Sequence, residues 1–270
     1  MGVAGVGIAT VISNALSAGM VLRFLLKDRG SIRLSLKELG IRREHLASVI
    51  RIGAPAGLQG MVFALSNVVI QTAVNHFGAA GIAGTTAGQN FEFMAYFVVN
   101  GFAQAATTFT SQNFAAGKTD RCRRIYADCM AIGMGAALAV AVLFYAFRDI
   151  LLQIFTQDTE VLEYAVLRMR YACLPELLTG TYEISGGCLR GMGHSLLPAV
   201  FTVIGSCLFR LVWIATVFAR WKSYVMLVEV YPVSRILTGT AVITAYVIIR
   251  RREFAKLGGT GKEEREREHT

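Results

Sequence analysis

Proline is scarce in this chain, four residues in 270, and tryptophan is scarcer still at two. Charge is nearly missing from long stretches. Blocks of about 20 residues, the length that spans a bilayer, hold almost no Lys, Arg, Asp or Glu. A soluble domain sits at roughly 45–50% apolar residues; here 54% are hydrophobic and the mean hydropathy is +0.50. The five cysteines, Cys122, Cys129, Cys173, Cys188 and Cys207, form no C-x-x-C pair and lie mostly within apolar runs. That excludes a disulfide framework or zinc site and leaves them as small apolar residues. No H-E-x-x-H, G-x-S-x-G or phosphate-binding glycine loop is present, so no catalytic centre is expected. No basic segment precedes Gly2-Val3-Ala4-Gly5-Val6, so a cleavable signal is not expected, and the abrupt apolar start suggests a truncated chain.

What is there reads as seven membrane spans. They cover about 3–26, 50–77, 85–111, 125–147, 171–189, 196–219 and 224–249. The fold class expected is an all-α polytopic membrane protein. A linker over 27–49 contains Lys27, Arg29, Arg33, Lys37, Arg42 and Arg43, and its Leu36, Leu39, Leu46 and Val49 suit an amphipathic helix on the membrane surface. Pro55 removes a backbone donor early in the second span and favours a kink. Asp158, with Glu160 two residues on, is a helix N-cap; the helix it opens should run into the fifth span, disturbed at Pro175. The tail after Arg252 is highly charged and expected to be disordered.

The net charge of +9 is spread over alternate loops. Nineteen Lys and Arg fall on one side of the implied membrane and five on the other, namely Arg148, Arg168, Arg170, Arg220 and Lys222. By the positive-inside rule the richer side is cytoplasmic, with this chain's N-terminus outside and its C-terminus inside. Charge arranged for topology leaves little reason to expect nucleic-acid binding.

Several spans are polar along one side. At about 100° per residue, Gln89, Glu92, Tyr96, Asn100, Gln104, Thr107 and Ser111 share an arc of roughly 120° on the third span, opposite Phe91, Phe97, Val98 and Phe102. Asn67, Gln71 and Asn75 repeat the pattern on the second. Glu176, Thr179, Glu183, Gly187 and Arg190 line the fifth, Ser206, Arg210 and Trp213 the sixth, and Tyr231, Arg235 and Thr238 the seventh. In lipid such a seam must meet protein or water, so the seams are expected to line a common inner surface with greasy backs toward the acyl chains.

Four charges lie well inside spans: Glu92, Glu183, Arg210 and Arg235. Each costs roughly 2.5–3.5 kcal/mol on insertion scales at a helix centre, which partners or water must offset. Glu92 and Glu183 are expected to face the bundle interior. Glu92 is the leading candidate for function, Glu183 divides evenly between function and pairing with Arg190, and Arg210 and Arg235 read as structural clamps. Trp213, Trp221 and Tyr224 are expected as interface anchors; His76 and His194 as solvated residues at span ends. The G-x-x-x-G pairs Gly53–Gly57 and Gly84–Gly88 are weak packing motifs.

Four strings together carry a resemblance: Ile52-Gly-Ala-Pro-Ala-Gly-Leu-Gln59, Thr108-Phe-Thr-Ser-Gln-Asn113 with Ala115-Ala-Gly117, Glu183 with Gly187-Cys-Leu-Arg-Gly-Met-Gly193, and Tyr231-Pro-Val-Ser234. Their order and spacing, over about 3–252, are similar to the multidrug and toxin extrusion (MATE) family. The resemblance implies a protein of twelve helices in two six-helix lobes, alternating between inward and outward openings, with Na+ or H+ driving export of organic, often cationic, drugs. On that map residues 1–26 are the last helix of the first lobe, 27–49 the cytoplasmic linker, 50–252 the second lobe and 253–270 a charged tail; helices one to five are missing partners. One family branch has an acid where this chain has Phe63, and another places its key carboxylates in the missing lobe. Glu92 is then the best cation-attracting candidate, with Gln89, Tyr96, Asn100, Gln104, Asn67, Gln71 and Glu183 around the substrate path. No metal or organic cofactor is expected beyond the coupling ion; the partners are small-molecule substrates and lipid, in a bacterial inner membrane. The alternatives are a flippase for lipid-linked precursors, whose cavity should be more basic, a membrane-embedded enzyme or scaffold, or a nonfunctional fragment.

Overall fold

The computed structural model describes residues 3–28, 34, 35, 40 and 42–268. The chain divides at Ile50 into two units. The first holds α1 (Val3–Lys27) and the beginning of α2 (Arg43–Val74). No described side chain of α1 is buried. Leu36 and Leu39 of the expected surface helix lie outside the described residues, while Leu46 and Val49 belong to α2 and are exposed.

The second unit contains the rest of α2 and ten further helices. They are α3 (Gly78–Ala115), α4 (Thr119–Ala146), α5 (Arg148–Gln153), α6 (Thr159–Arg168), α7 (Thr179–Gly191), α8 (Leu196–Thr202), α9 (Phe209–Trp213), α10 (Ala219–Trp221), α11 (Tyr224–Val228) and α12 (Val230–Glu268). Short irregular turns join several of them into longer rods. α6 continues through a π-helical turn (Met169–Cys173) and a 3-10 turn (Leu174–Leu178) into α7. The break falls at Pro175, which has no N–H for the ladder. α8, α9 and α10 form one rod through π-helical turns at Val203–Leu208 and Ile214–Phe218.

Five stretches among the described residues are long and apolar enough to cross a membrane: Gly7–Lys27, Gly53–Ala115, Thr119–Ala146, Leu196–Trp221 and Tyr224–Leu257. The second contains α2 from Gly53 onward and all of α3, which meet at the 3-10 turn Asn75–Phe77. The fifth expected span is not among them, because the rod over 159–191 carries buried charge in place of lipid-facing apolar surface. Asp158 caps that rod as expected, its Oδ1 accepting from the Glu160 N–H at 3.0 Å. The tail departs from expectation. α12 runs on to Glu268 instead of ending near Arg252, in a segment rich in the good helix formers Lys, Glu and Arg.

Small residues set the packing. α3 is the central helix, and its buried face is Gly84, Ala87, Gly88, Ala95, Val99, Ala103 and Ala106. A Cβ on Gly84 would come within 2.5 Å of the Val161 carbonyl oxygen, and one on Gly88 within 2.9 Å of the Arg168 side chain. From the other side, α7 brings Gly187 against the Ala103 carbonyl and Gly191 against that of Thr107. Close backbone approach of this kind is the usual device of helix packing in lipid. Gly84–Gly88 is thus a contact motif, while added Cβ atoms on Gly53 and Gly57 would meet nothing within 4 Å. The turn after α7 needs Gly193, whose φ of 87° is left-handed.

That small-residue face explains two departures from the expected seams. It lies about a quarter turn from the polar stripe of α3. Glu92 is therefore buried, Gln89, Tyr96, Asn100 and Thr107 are half-buried, and Gln104 and Ser111 are exposed. Phe91, expected to face lipid, is buried against Phe144 and Phe155, with ring centroids 5.3 and 5.8 Å away. Phe97 is exposed as expected. Among the described residues of α2 the buried ones are Ser66, Ile70, Ala73 and Val74, so Asn67, Gln71 and Asn75 are exposed instead of turned inward. Gln71 donates to Asn75 at 3.4 Å.

Candidate functional site: a buried charge cluster

Five segments of the second unit place charged or phenolic groups at one spot. α3 supplies Glu92, α6 supplies Arg168, the 3-10 turn after Pro175 supplies Glu176, α9 supplies Arg210, and α12 supplies Tyr231, Ser234 and Arg235. All seven are buried. Irregular helix marks the place: Glu176 lies inside the 3-10 turn, and α9, with Arg210, is flanked by π-helical turns. Such turns recur at functional sites.

The groups form an alternating chain of charge. Arg168 donates to Glu92 Oε2 from Nε at 2.9 Å and from Nη2 at 2.6 Å, and from Nη1 to the Tyr231 hydroxyl at 2.8 Å. Glu92 Oε1 accepts from Arg235 Nη2 at 2.9 Å. The same Nη2 donates to Glu176 Oε2, and Arg235 Nη1 donates to the Ala172 carbonyl. Arg210 Nε donates to Ser234 Oγ at 3.1 Å. The Tyr231 ring lies under three guanidinium groups, at 4.2 Å for Arg168, 4.7 Å for Arg210 and 5.6 Å for Arg235. Glu92 is thus held between two cations, and Arg235 between two carboxylates. Breaking one partner out of such a buried pair typically costs about 3–5 kcal/mol. Below the cluster Ser206 and Thr238 share a 3.0 Å hydrogen bond between the α8–α9 rod and α12.

A second, more accessible polar patch lies between α3 and α7. Gly180 approaches Val99 and Gly187 approaches Ala103, so the two helices run side by side. Glu183 falls between those contacts, level with Asn100. Its carboxylate is 3.6 Å from Arg190 Nη2, with side-chain exposures of 17% and 27%. Tyr96, Asn100 and Thr107 are half-buried on the facing flank of α3, with Gln104 beyond them at the surface.

The sequence-predicted residues therefore separate. Glu92, Arg210 and Arg235 come together; Glu183, Arg190, Tyr96 and Asn100 form the second patch; Asn67 and Gln71 belong to neither. Arg168 is the chief surprise. Its position near the end of a mixed segment suggested an outer loop, yet it is buried and binds Glu92. The signal was the helical register: Val161, Ala165, Arg168, Ala172 and Glu176 repeat at three and four residues on the buried side of one rod. Tyr224 also departs from its expected place. It is buried, and its hydroxyl lies 2.8 Å from Thr85 Oγ1, so it closes the core instead of anchoring an interface. Trp213 is half-buried, its indole donating to the Met226 carbonyl at 2.8 Å, whereas Trp221 is exposed. His76 is exposed, and His194 Nε2 lies 3.4 Å from Glu253.

Apolar rods with exposed greasy surfaces, packed by glycine around a charged interior, define a polytopic helical membrane protein. The MatE family matches residues 55–216, well over half of the chain, and the chain belongs to that family. It is 24% identical over 211 residues to the probable multidrug resistance protein NorM of Thermotoga maritima, covering 78% of this chain and 45% of that protein. It is 22% identical over 206 residues to the multidrug export protein MepA of Staphylococcus aureus, covering 76% and 45%. The chain thus spans about half the length of these curated relatives. Its fold is similar to that of a multidrug resistance MATE family transporter solved in an outward-facing conformation, with a TM-score of 0.80 at 17% identity over 96% of this chain and 58% of that one.

Proposed function

We propose that this chain supplies the second six-helix lobe, with the helix before it, of a secondary active exporter of organic, often cationic, compounds driven by Na+ or H+. The match of the MatE family over 55–216 carries this reading, and the names of the curated relatives agree with it. Within the chain, the substrate-facing role fits the patch between α3 and α7 best. Glu92 is engaged by two arginines, whereas Glu183 is partly accessible and has one longer contact. There the Glu183 carboxylate attracts an organic cation and the Tyr96 ring stacks with it. The charge asymmetry supports an inner-membrane protein with its C-terminus in the cytoplasm.

The test is dye efflux from a drug-hypersensitive bacterial strain expressing the longest reading frame that contains this chain. Preloaded ethidium should leave faster than from cells with an empty vector, and dissipating the ion gradients should abolish the difference. Retention equal to the empty vector at verified membrane expression contradicts the proposal. A flippase for lipid-linked precursors is favoured by one observation, the excess of arginine over glutamate in the buried cluster. Rescue of a flippase-deficient strain without any dye efflux would select it.

A further inference from the structure

The cluster around Tyr231 does not balance. Three arginines, Arg168, Arg210 and Arg235, meet two glutamates, Glu92 and Glu176. Arg168 and Arg235 account for both carboxylates. Among the described residues Arg210 has no carboxylate within 4.0 Å, and Ser234 Oγ is its only recorded acceptor. Yet Arg210 is just 6% exposed. The remaining glutamates of the apolar helices do not supply the missing charge: Glu183 lies beside Arg190, and among the described residues Glu229 makes no ion pair. Arg235 adds a second unmet demand. Its Nε is one of two buried side-chain polar atoms without a partner among the described residues. A cation removed from water stays charged only where opposite charge or strong acceptors come with it, and a buried N–H without an acceptor calls for one.

Both unmet groups lie against the same ring. The Arg210 and Arg235 guanidinium carbons are 4.7 and 5.6 Å from the Tyr231 centroid. We propose that this edge of the cluster binds one small monovalent anion, a halide or a carboxylate group, through the terminal nitrogens of Arg210 and Nε of Arg235. The anion brings the cluster to neutrality and joins α9 to α12. Burial of Arg210 limits the ligand to one of small size. The site is separate from the α3–α7 patch, so anion binding there is independent of which compound the protein exports.

The experiment is thermal unfolding of the purified chain in lipid nanodiscs at constant sodium and ionic strength, with chloride, formate or gluconate as the anion. Chloride and formate should raise the midpoint by several degrees in a saturable way, and the bulky gluconate should not. Arg210→Gln should lose that response and, in gluconate, should unfold no earlier than the wild type because the uncompensated cation is gone. Arg121→Gln, at an exposed position of α4 outside both the cluster and the α3–α7 patch, should keep the response. If Arg210→Gln does not fold, Arg210→Lys, which keeps the charge without the planar fork, should show a saturation shifted to higher anion concentration. A wild type indifferent to the three anions, or an Arg210 variant that responds as the wild type does, overturns the proposal.

Discussion

Glu92 is the residue on which the interior turns, because among the described residues it is the carboxylate that pairs with both Arg168 and Arg235. Its replacement by Gln keeps the shape and removes the charge, leaving two buried guanidinium groups with one carboxylate between them. The expected loss is about 3–5 kcal/mol, read as a lowered unfolding midpoint in nanodiscs, together with impaired efflux at equal expression. Glu183→Gln should cost only about 0–1 kcal/mol in the same assay, since its pair is longer and partly exposed, while dye efflux falls. If the two variants are equally unstable, the difference between a sealed cluster and an accessible patch is wrong. Removing Glu92 and Arg168 together, as Glu92→Gln with Arg168→Met, should recover most of the loss, because Arg235 then keeps Glu176. The charged residues inside spans were legible from their cost in lipid: Glu92, Arg210 and Arg235 stood out as expensive and did converge. Arg168 did not stand out, because it sits beside Arg170 in a segment whose polarity resembled a loop. Hydropathy averages over a window; burial is decided one helical face at a time.

At the scale of the element, glycine placement decides how close the helices come. Gly84→Ala puts a methyl group within 2.5 Å of a carbonyl oxygen on α6, and backbone cannot swing aside as a side chain does. Overpacking of this sort costs about 1–3 kcal/mol. Gly101→Ala, where an added Cβ meets nothing within 4 Å, should be neutral or stabilising by up to about 1 kcal/mol. Unfolding of the two variants side by side checks this; equal midpoints would mean that the α3–α6 contact does not set stability. The same glycines show why the polar stripes were only half right. The periodicity of polar residues on α3 is real, but the face that packs is chosen by its smallest side chains, and the stripe follows a quarter turn away with Gln104 at the surface. Caps and breakers were easier to read, since Asp158 and Pro175 act through local backbone chemistry. The helical continuation of α12 was not read, because high charge density is shared by disordered tails and by solvated helices.

For the whole molecule, the all-α membrane fold followed from apolar length, whereas the fifth expected span is not among the apolar stretches that the described residues show. The chain matches 45% of the length of its curated relatives, so exposed polar residues such as Gln71 and Gln104 are proposed to face the remainder of such a transporter instead of lipid. Topology gives one prediction at this scale: a fluorescent protein fused after Thr270 should fluoresce in the bacterial cytoplasm, and a dark fusion of normal abundance would reverse the orientation. Function is tested most directly by reconstitution. Proteoliposomes carrying the longest reading frame that contains this chain should move ethidium against its gradient when an opposing gradient of Na+ or H+ is imposed, and Glu183→Gln should slow that movement several-fold. Movement that ignores both imposed gradients, or that is unchanged by the substitution, contradicts the account of a gradient-driven exporter with its accessible carboxylate between α3 and α7.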